Sequence, residues 1–478
     1  MPDPRILESL NPGILLPSPD TICALATPAG TGSIAVIRVS GPETFSILDR
    51  FLPDHPASRQ RSHSVRLNWF CTIGREPVDQ VMVTVFRAPR SYTGEDMAEI
   101  SCHGGTVAAD AVLKHVIHAG CRVAEPGEFT RRAVLAGKMT LSQAEAVADM
   151  AEARSEAAFH GAVARYRGEL SGFVAGIAED LKELLAELEF DLGFDEHDAV
   201  SGSVPKQRIR RIVAALSKTV ESAQAGRFLI EGANVVIIGR PNAGKSSLFN
   251  RLIGKERAIT SPVSGTTRDR IDSMAVLAGI PVRFVDTAGL TARPGARLDR
   301  LAAAQTAKAI ELADIIVALF DGSRPASPSD LAVITAIQGR PAICALNKTD
   351  LPRRFSGNVE CRLPNVESPV TNRQSAIGNR ESHLVPISCR TGAGVSGLRA
   401  RIARALRTKP CPRLMLNRRQ TDVLSACRDA LARAGSALTL DVAALETRSA
   451  LDILSQIDAP STGADILDRV FARFCVGK

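Results

Sequence analysis

At 478 residues the chain is too long for one hydrophobic core, and a prior of about 150 residues per domain predicts roughly three. Its 45% hydrophobic, 23% charged and 4% aromatic residues describe an ordinary globular protein with cores of Ala, Leu, Ile and Val, which favours helices. Ten cysteines without a C-x-x-C pair argue against a disulfide framework or a zinc ribbon and for a reducing, cytoplasmic compartment, and no apolar run approaches the ~18 residues of a membrane span.

The net charge of +8 suits an anionic partner such as nucleic acid, with arginines clustered in KQRIRR (206–211) and RARIARALRTK (399–409). No aromatics interleave them for base stacking, so a solvated helix face explains them at least as well.

Residues 1–19 lack the basic and continuous apolar regions of a signal peptide and read as a loosely ordered extension. From 20 to 136, β-rich runs such as TICALATPAGTGSIAVIRVSG and VDQVMVTVFRAP alternate with turns, and a helical stretch runs from Val107 to His118, which predicts a small α/β domain. His115, His118 and Cys121 tempt a metal reading, but the third position turns away and Ala119-Gly120 ends the helix, so packing is expected. Residues 137–232 become alanine-rich, with apolar residues every three or four positions, which predicts amphipathic helices. The acidic run Asp191 to Asp198 lacks the spacing of a calcium loop. Residues 233–409 alternate strands with helices, the pattern of a parallel sheet covered on both faces, and 410–478 return to helix. The expected architecture is a discontinuous helical domain interrupted by an inserted α/β domain, in which the Arg-, Asn- and Ser-rich segment 353–383 is expected to be a mobile surface loop.

The strongest chemistry lies in ANVVIIGRPNAGKSSLFN, where a β run precedes G-x-x-x-x-G-K-S (Gly239 to Ser246) and an amphipathic helix follows. Backbone N–H groups of Asn242, Ala243, Gly244, Lys245, Ser246 and Ser247 can surround phosphate oxygens, Lys245 adds a point charge, and the Ser246 hydroxyl a magnesium ligand. VRFVDTAG is a strand ending in Asp286, which can hold magnesium through water, followed by Thr287, Ala288 and Gly289 facing the γ-phosphate. ICALNKTD ends in Asn347, Lys348, Thr349 and Asp350, and a carboxylate there accepts guanine's N1–H and exocyclic amine, so GTP is favoured over ATP. VPISCRTG offers backbone amides of Ser388, Cys389 and Arg390 to the guanine O6. SPVSGTTRD supplies Ser261, Pro262, Val263, Ser264, Gly265, Thr266 and Thr267 to cover the nucleotide, with Thr267 completing the magnesium shell. Leu290 stands where small regulatory GTPases place a glutamine, and no arginine finger is evident.

Taken with ATPAGTGSIAVIRVSG, SYTGEDMAEISCHGG, AEPGEFTRRAVLAGKMTLSQAEAVADM, GRFLIEGANVVIIGRPNAGKSSLFN, SGTTRD, DTAGL and the terminal FCVGK, the chain resembles the tRNA wobble-uridine modification GTPase family (MnmE, also called TrmE) over nearly its whole length. The resemblance implies an N-terminal α/β domain that binds 5-formyl- or 5,10-methylene-tetrahydrofolate and pairs two subunits, the discontinuous helical domain, and an inserted Ras-like P-loop GTPase domain. It implies a homodimer acting with an FAD-dependent tRNA modification subunit, MnmG, in a heterotetramer that adds an aminomethyl or carboxymethylaminomethyl group to C5 of the wobble uridine of certain tRNAs. Carried over by position, folate contacts are Arg38, Glu95, Lys138 and Lys478. Potassium ligands, replacing an arginine finger, are Asn242, Ser261, Val263 and Thr266. The family's glutamate downstream of DTAGL is missing from TARPGARLDRLAAAQT, where Asp299 is the nearest carboxylate. The alternative of another class is a ribosome-assembly or other regulatory GTPase switch without folate chemistry.

The ending FARFCVGK spells a literal C-a-a-X, but Cys475 falls on an apolar stripe with Ile466, Leu467, Val470, Phe471 and Phe474, after the N-cap candidates Ser461 and Thr462. Gly477 and Lys478 do not suit prenylation, so no stable membrane anchor is expected. In the resembled family this ending lies near the folate pocket, which makes Cys475 a candidate catalytic thiol.

Overall fold

A computed structural model describes residues 20–28, 30, 32–194, 204–230, 232–253, 272–286, 307–355, 384–406, 414–458, 464–472, 474 and 477. The expected loop at 353–383 falls outside these from residue 356 onward, as do residues 1–19 and the N-cap candidates Ser461 and Thr462. The chain divides into two compact units, one of residues 1–151, 163–214 and 422–478, the other of 152–162 and 215–421.

The alternating runs at the start form β1 (Ile22–Leu25), β2 (Ile34–Ser40), β3 (Ser64–Cys71), β4 (Pro77–Phe86), β5 (Met97–His103) and β6 (Arg122–Val123), with helices α1 (Thr44–Leu48) and α2 (Thr106–His118). The sheet order is β3-β4-β5-β2-β1-β6, antiparallel except where β6 joins β1. Period-two alternation turns Ile37, Val39, Val81, Val83, Val85 and Ile100 to one face, where they pack with Val112 and Val116 of α2. His115 lies edge-on to Phe51 and Phe70, its Nδ1 2.7 Å from Ala111 O, and Cys121 is buried in the same core.

Helices α3 (Glu128–Leu135), α4 (Leu141–Glu152), α5 (Glu156–Tyr166), α6 (Glu169–Phe194) and α7 (Lys206–Ile230) follow. The insert then contributes β7 (Ala233–Gly239), α8 (Lys245–Ile253), β8 (Asp272–Leu277), β9 (Ile280–Asp286), β10 (Ile315–Asp321), α9 (Pro328–Ile337), β11 (Ala342–Asn347), β12 (Val385–Pro386) and α10 (Val395–Leu406). Helices α11 (Arg418–Ser436), α12 (Leu440–Ser455) and α13 (Ala464–Phe471) end the chain. Leu467, Phe471 and Phe474 pack with Val134, Leu141 and Ala144, so the apolar stripe near the C-terminus is core of the first unit.

In the second unit the sheet order is β12-β11-β10-β7-β9-β8. Its strands are parallel except for β8, which runs antiparallel to β9, so the expected parallel sheet carries one reversed edge strand. The cause is local: Ala278 and Gly279, at φ 51° and 86°, make a two-residue primed turn, and a parallel return needs a dozen or more residues. Every residue of β10 is buried, as a central strand covered on both faces must be. Val235, Ile237, Val317 and Leu319 pack with Leu248, Leu398 and Ile402, while Val236, Ile316, Ala318 and Phe320 pack with Ile337 on the other side.

Candidate functional site

The parallel strands β7, β10 and β11 end side by side, with Leu319 registered against Gly239 and Asp321 against Asn347. A crevice at the carboxyl ends of such strands is where this architecture binds ligands. The loop after β7 turns through Asn242 at φ 62° and Gly244 at φ 99°, then opens α8 at Lys245, Ser246 and Ser247. That brings a helix N-terminus, with its outward N–H groups and partial positive charge, to the same edge as Asn347–Asp350. Lys245 is 8% exposed, and its ammonium donates to Gly239 O at 2.9 Å and Arg240 O at 3.0 Å.

Asn347 ties three segments together. Its Nδ2 donates to Ala243 O at 2.8 Å, and its Oδ1 accepts from the Cys389 N–H at 2.9 Å. A Cβ on Gly244 would meet that Nδ2 at 2.3 Å, so a glycine is required there for steric reasons as well as for its positive φ. Thr349 donates from both its N–H and its hydroxyl to Ile387 O. Asp350 Oδ1 accepts from Ser388 Oγ at 2.7 Å, and Oδ2 lies 3.1 Å from Nε of the exposed Arg390. The Ser388 hydrogen bond and the nearby Arg390 and Lys348 hold the Asp350 carboxyl below its ordinary range, so it is an ionised acceptor at neutral pH. Burial pushes the Cys389 thiol up to about 11, which leaves it a neutral packing group, and the Ser388 N–H is given to Ala393 O.

Arg240, Asp321 and Asp330, three charged residues that no motif singles out, complete this edge together with Lys348 of NKTD. Lys348, at φ 65°, places its Nζ 2.7 Å from Asp321 Oδ2, while Arg240 reaches Asp321 at 3.3 Å and Asp330 at 3.2 Å. The clue in the sequence is an aspartate ending an all-apolar strand in IIVALFDGS, which reads equally well as the start of a turn. Asp286 ends β9 with its Cα paired to that of Ile237. Ser261, Pro262, Val263, Ser264, Gly265, Thr266, Thr267, Thr287, Ala288, Gly289 and Asp299 lie outside the described residues.

A second polar cluster lies in the first unit. Arg38 gives Nε and Nη2 to Glu99 Oε1 at 3.0 and 2.8 Å and Nη1 to Gly477 O at 3.2 Å, and its guanidinium sits 5.4 Å from the Tyr92 ring centre and 5.6 Å from that of Phe129. Glu95 accepts from Ser40 Oγ at 2.7 Å and faces Arg132 at 3.2 Å, and Arg132, only 3% exposed, also pairs with Asp20 and Glu128. Lys138 Nζ donates one of its three protons to Pro89 O at 2.9 Å. The chain end meets Arg38 through Gly477, whose α-carbon is pressed against β1 so closely that an added Cβ would stand 2.5 Å from Leu25 O. Cys475 and Lys478, on either side, lie outside the described residues. The buried Arg132 was missed because a cation in EFTRRAV looks like surface charge.

A family model described as "GTP-binding protein TrmE N-terminus" matches residues 21–138, and one described as "MnmE helical domain" matches 141–475. The chain belongs to the MnmE family. Curated relatives named "tRNA modification GTPase MnmE" include those of Symbiobacterium thermophilum, 37% identical over 96% of this chain and 99% of the relative, and Thermotoga petrophila, 36% identical over 96% and 100%. That of Moorella thermoacetica is 37% identical over 96% and 99%. The family is therefore one of tRNA modification GTPases, and the match to its helical domain encloses the insert with the phosphate loop. Among the described residues, no helix is long and apolar enough to cross a membrane.

Proposed function

We propose that this MnmE-family chain is a GTP hydrolase that works with an FAD-dependent partner, MnmG, to attach an aminomethyl or carboxymethylaminomethyl group to C5 of the wobble uridine of certain tRNAs. The observation that supports the reading is that a chain matching the family over 96% of its length carries both the Asn347–Asp350 edge beside the phosphate loop and, in the first unit, Arg38, Glu95 and Lys138. A pure switch would need only the first. The proposed domains are 20–136 for folate and dimerisation, 137–232 and 410–478 for the helical part, and 233–409 for the GTPase part.

In this reading Asp350 accepts guanine's two N–H donors, with guanine displacing the exposed Arg390. Lys245 moves from the loop carbonyls to phosphate, and Ser246 with Thr267 would hold magnesium. The donor set suits that ion, since both side chains offer hydroxyl oxygens. Potassium, held by Asn242, Ser261, Val263 and Thr266, would offset charge on the transferred phosphoryl group, with Asp299 orienting the water. The first-unit cluster fits a folate chemically: Glu95 suits the donor edge of a pterin, and Arg38, Lys138 and Lys478 suit a carboxylated tail. Bound folate would supply one carbon at the oxidation level of formyl or methylene, and Cys475 is the candidate thiol beside it.

GTP turnover tests the catalytic half. It is expected to be faster in potassium than in sodium and to rise with protein concentration, and equal rates in both salts at every concentration would contradict it. Equilibrium dialysis with 5-formyltetrahydrofolate tests the other half, where no retention would favour a switch.

A further inference from the structure

The GTPase reading leaves Asp321 without a role, yet it is among the most deliberately held groups in the second unit. It ends β10 at 2% exposure, between the phosphate loop that follows β7 and the NKTD segment that follows β11. Its Oδ1 accepts from the Ser323 N–H at 3.0 Å and the Ser323 hydroxyl at 2.6 Å, which fixes the rotamer. Its Oδ2 accepts from Lys348 Nζ at 2.7 Å and stands 3.3 Å from Arg240 Nη2. Arg240 is in turn anchored on Asp330, so the carboxylate at the end of β10 bridges two loops that no backbone pairing joins directly.

Lys348 is the residue that gains from this. A lysine has four rotatable bonds and a strongly hydrated ammonium, and its backbone here adopts a left-handed φ of 65° that lysine seldom takes. Tethering the ammonium to Asp321 extends the four-carbon stem along the strand ends, where it forms apolar surface two residues before Asp350. In the GTPase reading, a flat purine whose edge meets Asp350 would lie against that stem. We infer that Asp321 is a positioning residue for nucleotide recognition, which aligns the Lys348 stem as the floor of the purine site and ties it through Arg240 to the phosphate loop.

This inference rests on the GTPase reading, and Asp321 acts through Lys348 rather than on the nucleotide. Losing one charge-assisted hydrogen bond of this kind predicts that Asp321→Asn raises KM for GTP and the Kd for GDP about tenfold while kcat changes less than about threefold. In the Lys348→Met background the same substitution should cost less than about twofold, because the group it positions is already gone. Ser323→Ala, which frees the carboxylate to rotate, should raise KM in the same direction by about threefold and keeps the test available if Asp321→Asn fails to fold. Unchanged KM and Kd in Asp321→Asn, an equal fall in kcat, or costs that simply add in the double variant would overturn the role of Asp321. A wild-type protein that retains no GDP would overturn the GTPase reading instead.

Discussion

Asn347 commits both ends of its amide to backbone, one to Ala243 O in the phosphate loop and the other to the Cys389 N–H, and both of those groups are buried. Asn347→Ala would leave each without a partner, at about 1–3 kcal/mol apiece, so a stability loss of about 3 kcal/mol is expected in urea unfolding. Asp321 gives a prediction in pH. Burial alone would raise its carboxyl, but hydrogen bonds from Lys348 and Ser323 outweigh it and bring the group from 3.8 down to about 2. A depressed folded value means the ionised form stabilises the fold above the unfolded value, and that contribution disappears as pH falls from about 4 towards 2. The stability difference between wild type and Asp321→Asn should therefore be constant above about pH 5 and shrink below pH 4, as urea midpoints at a series of pH values would report. At this scale the motif residues were legible, because G-x-x-x-x-G-K-S and NKTD each need specific side chains at fixed spacing. Asp321, Arg240 and Arg132 were not, since a buried charge is recognised only by partners that the fold brings from far along the chain.

Elements follow local rules where the rules are strong. Helix α9 begins at Pro328, and Asp330 accepts from both the N–H and the hydroxyl of Ser327 just ahead of it. The same Asp330 oxygen takes Arg240, so the helix start is also a strut for the phosphate loop. Ser327→Ala should cost about 1 kcal/mol, as an ordinary cap does, whereas Asp330→Ala also removes one of the two carboxylates paired with the mostly buried Arg240 and should cost more, about 2–3 kcal/mol. Differential urea unfolding of the two variants checks this, and equal losses would argue that the Arg240 pair contributes nothing. The strands of both sheets were readable from branched and apolar runs, but the direction of β8 was not. Its reversal depends on a two-residue turn at Ala278-Gly279, a signal weaker than the alternation of strands and helices around it.

At the level of the whole molecule the chain end returns to the first sheet, 439 residues after Arg38, to place Gly477 O on that guanidinium. Gly477 has φ 102° and no room for a Cβ, so Gly477→Ala should displace the terminal residues and weaken retention of 5-formyltetrahydrofolate while GTP turnover persists. Equilibrium dialysis beside a phosphate-release assay would separate the two. Leu467, Phe471 and Phe474 near the chain end pack against Val134 and Ala144, as their helical spacing in the sequence leads one to expect.

Nucleoside analysis of tRNA from cells with and without this protein tests the central claim most directly. C5-aminomethyl-type wobble uridines should disappear without it and return with the wild-type chain, but not with Asp350→Asn, whose carboxamide cannot accept both guanine donors. Unchanged wobble uridines in cells that lack the protein would contradict it.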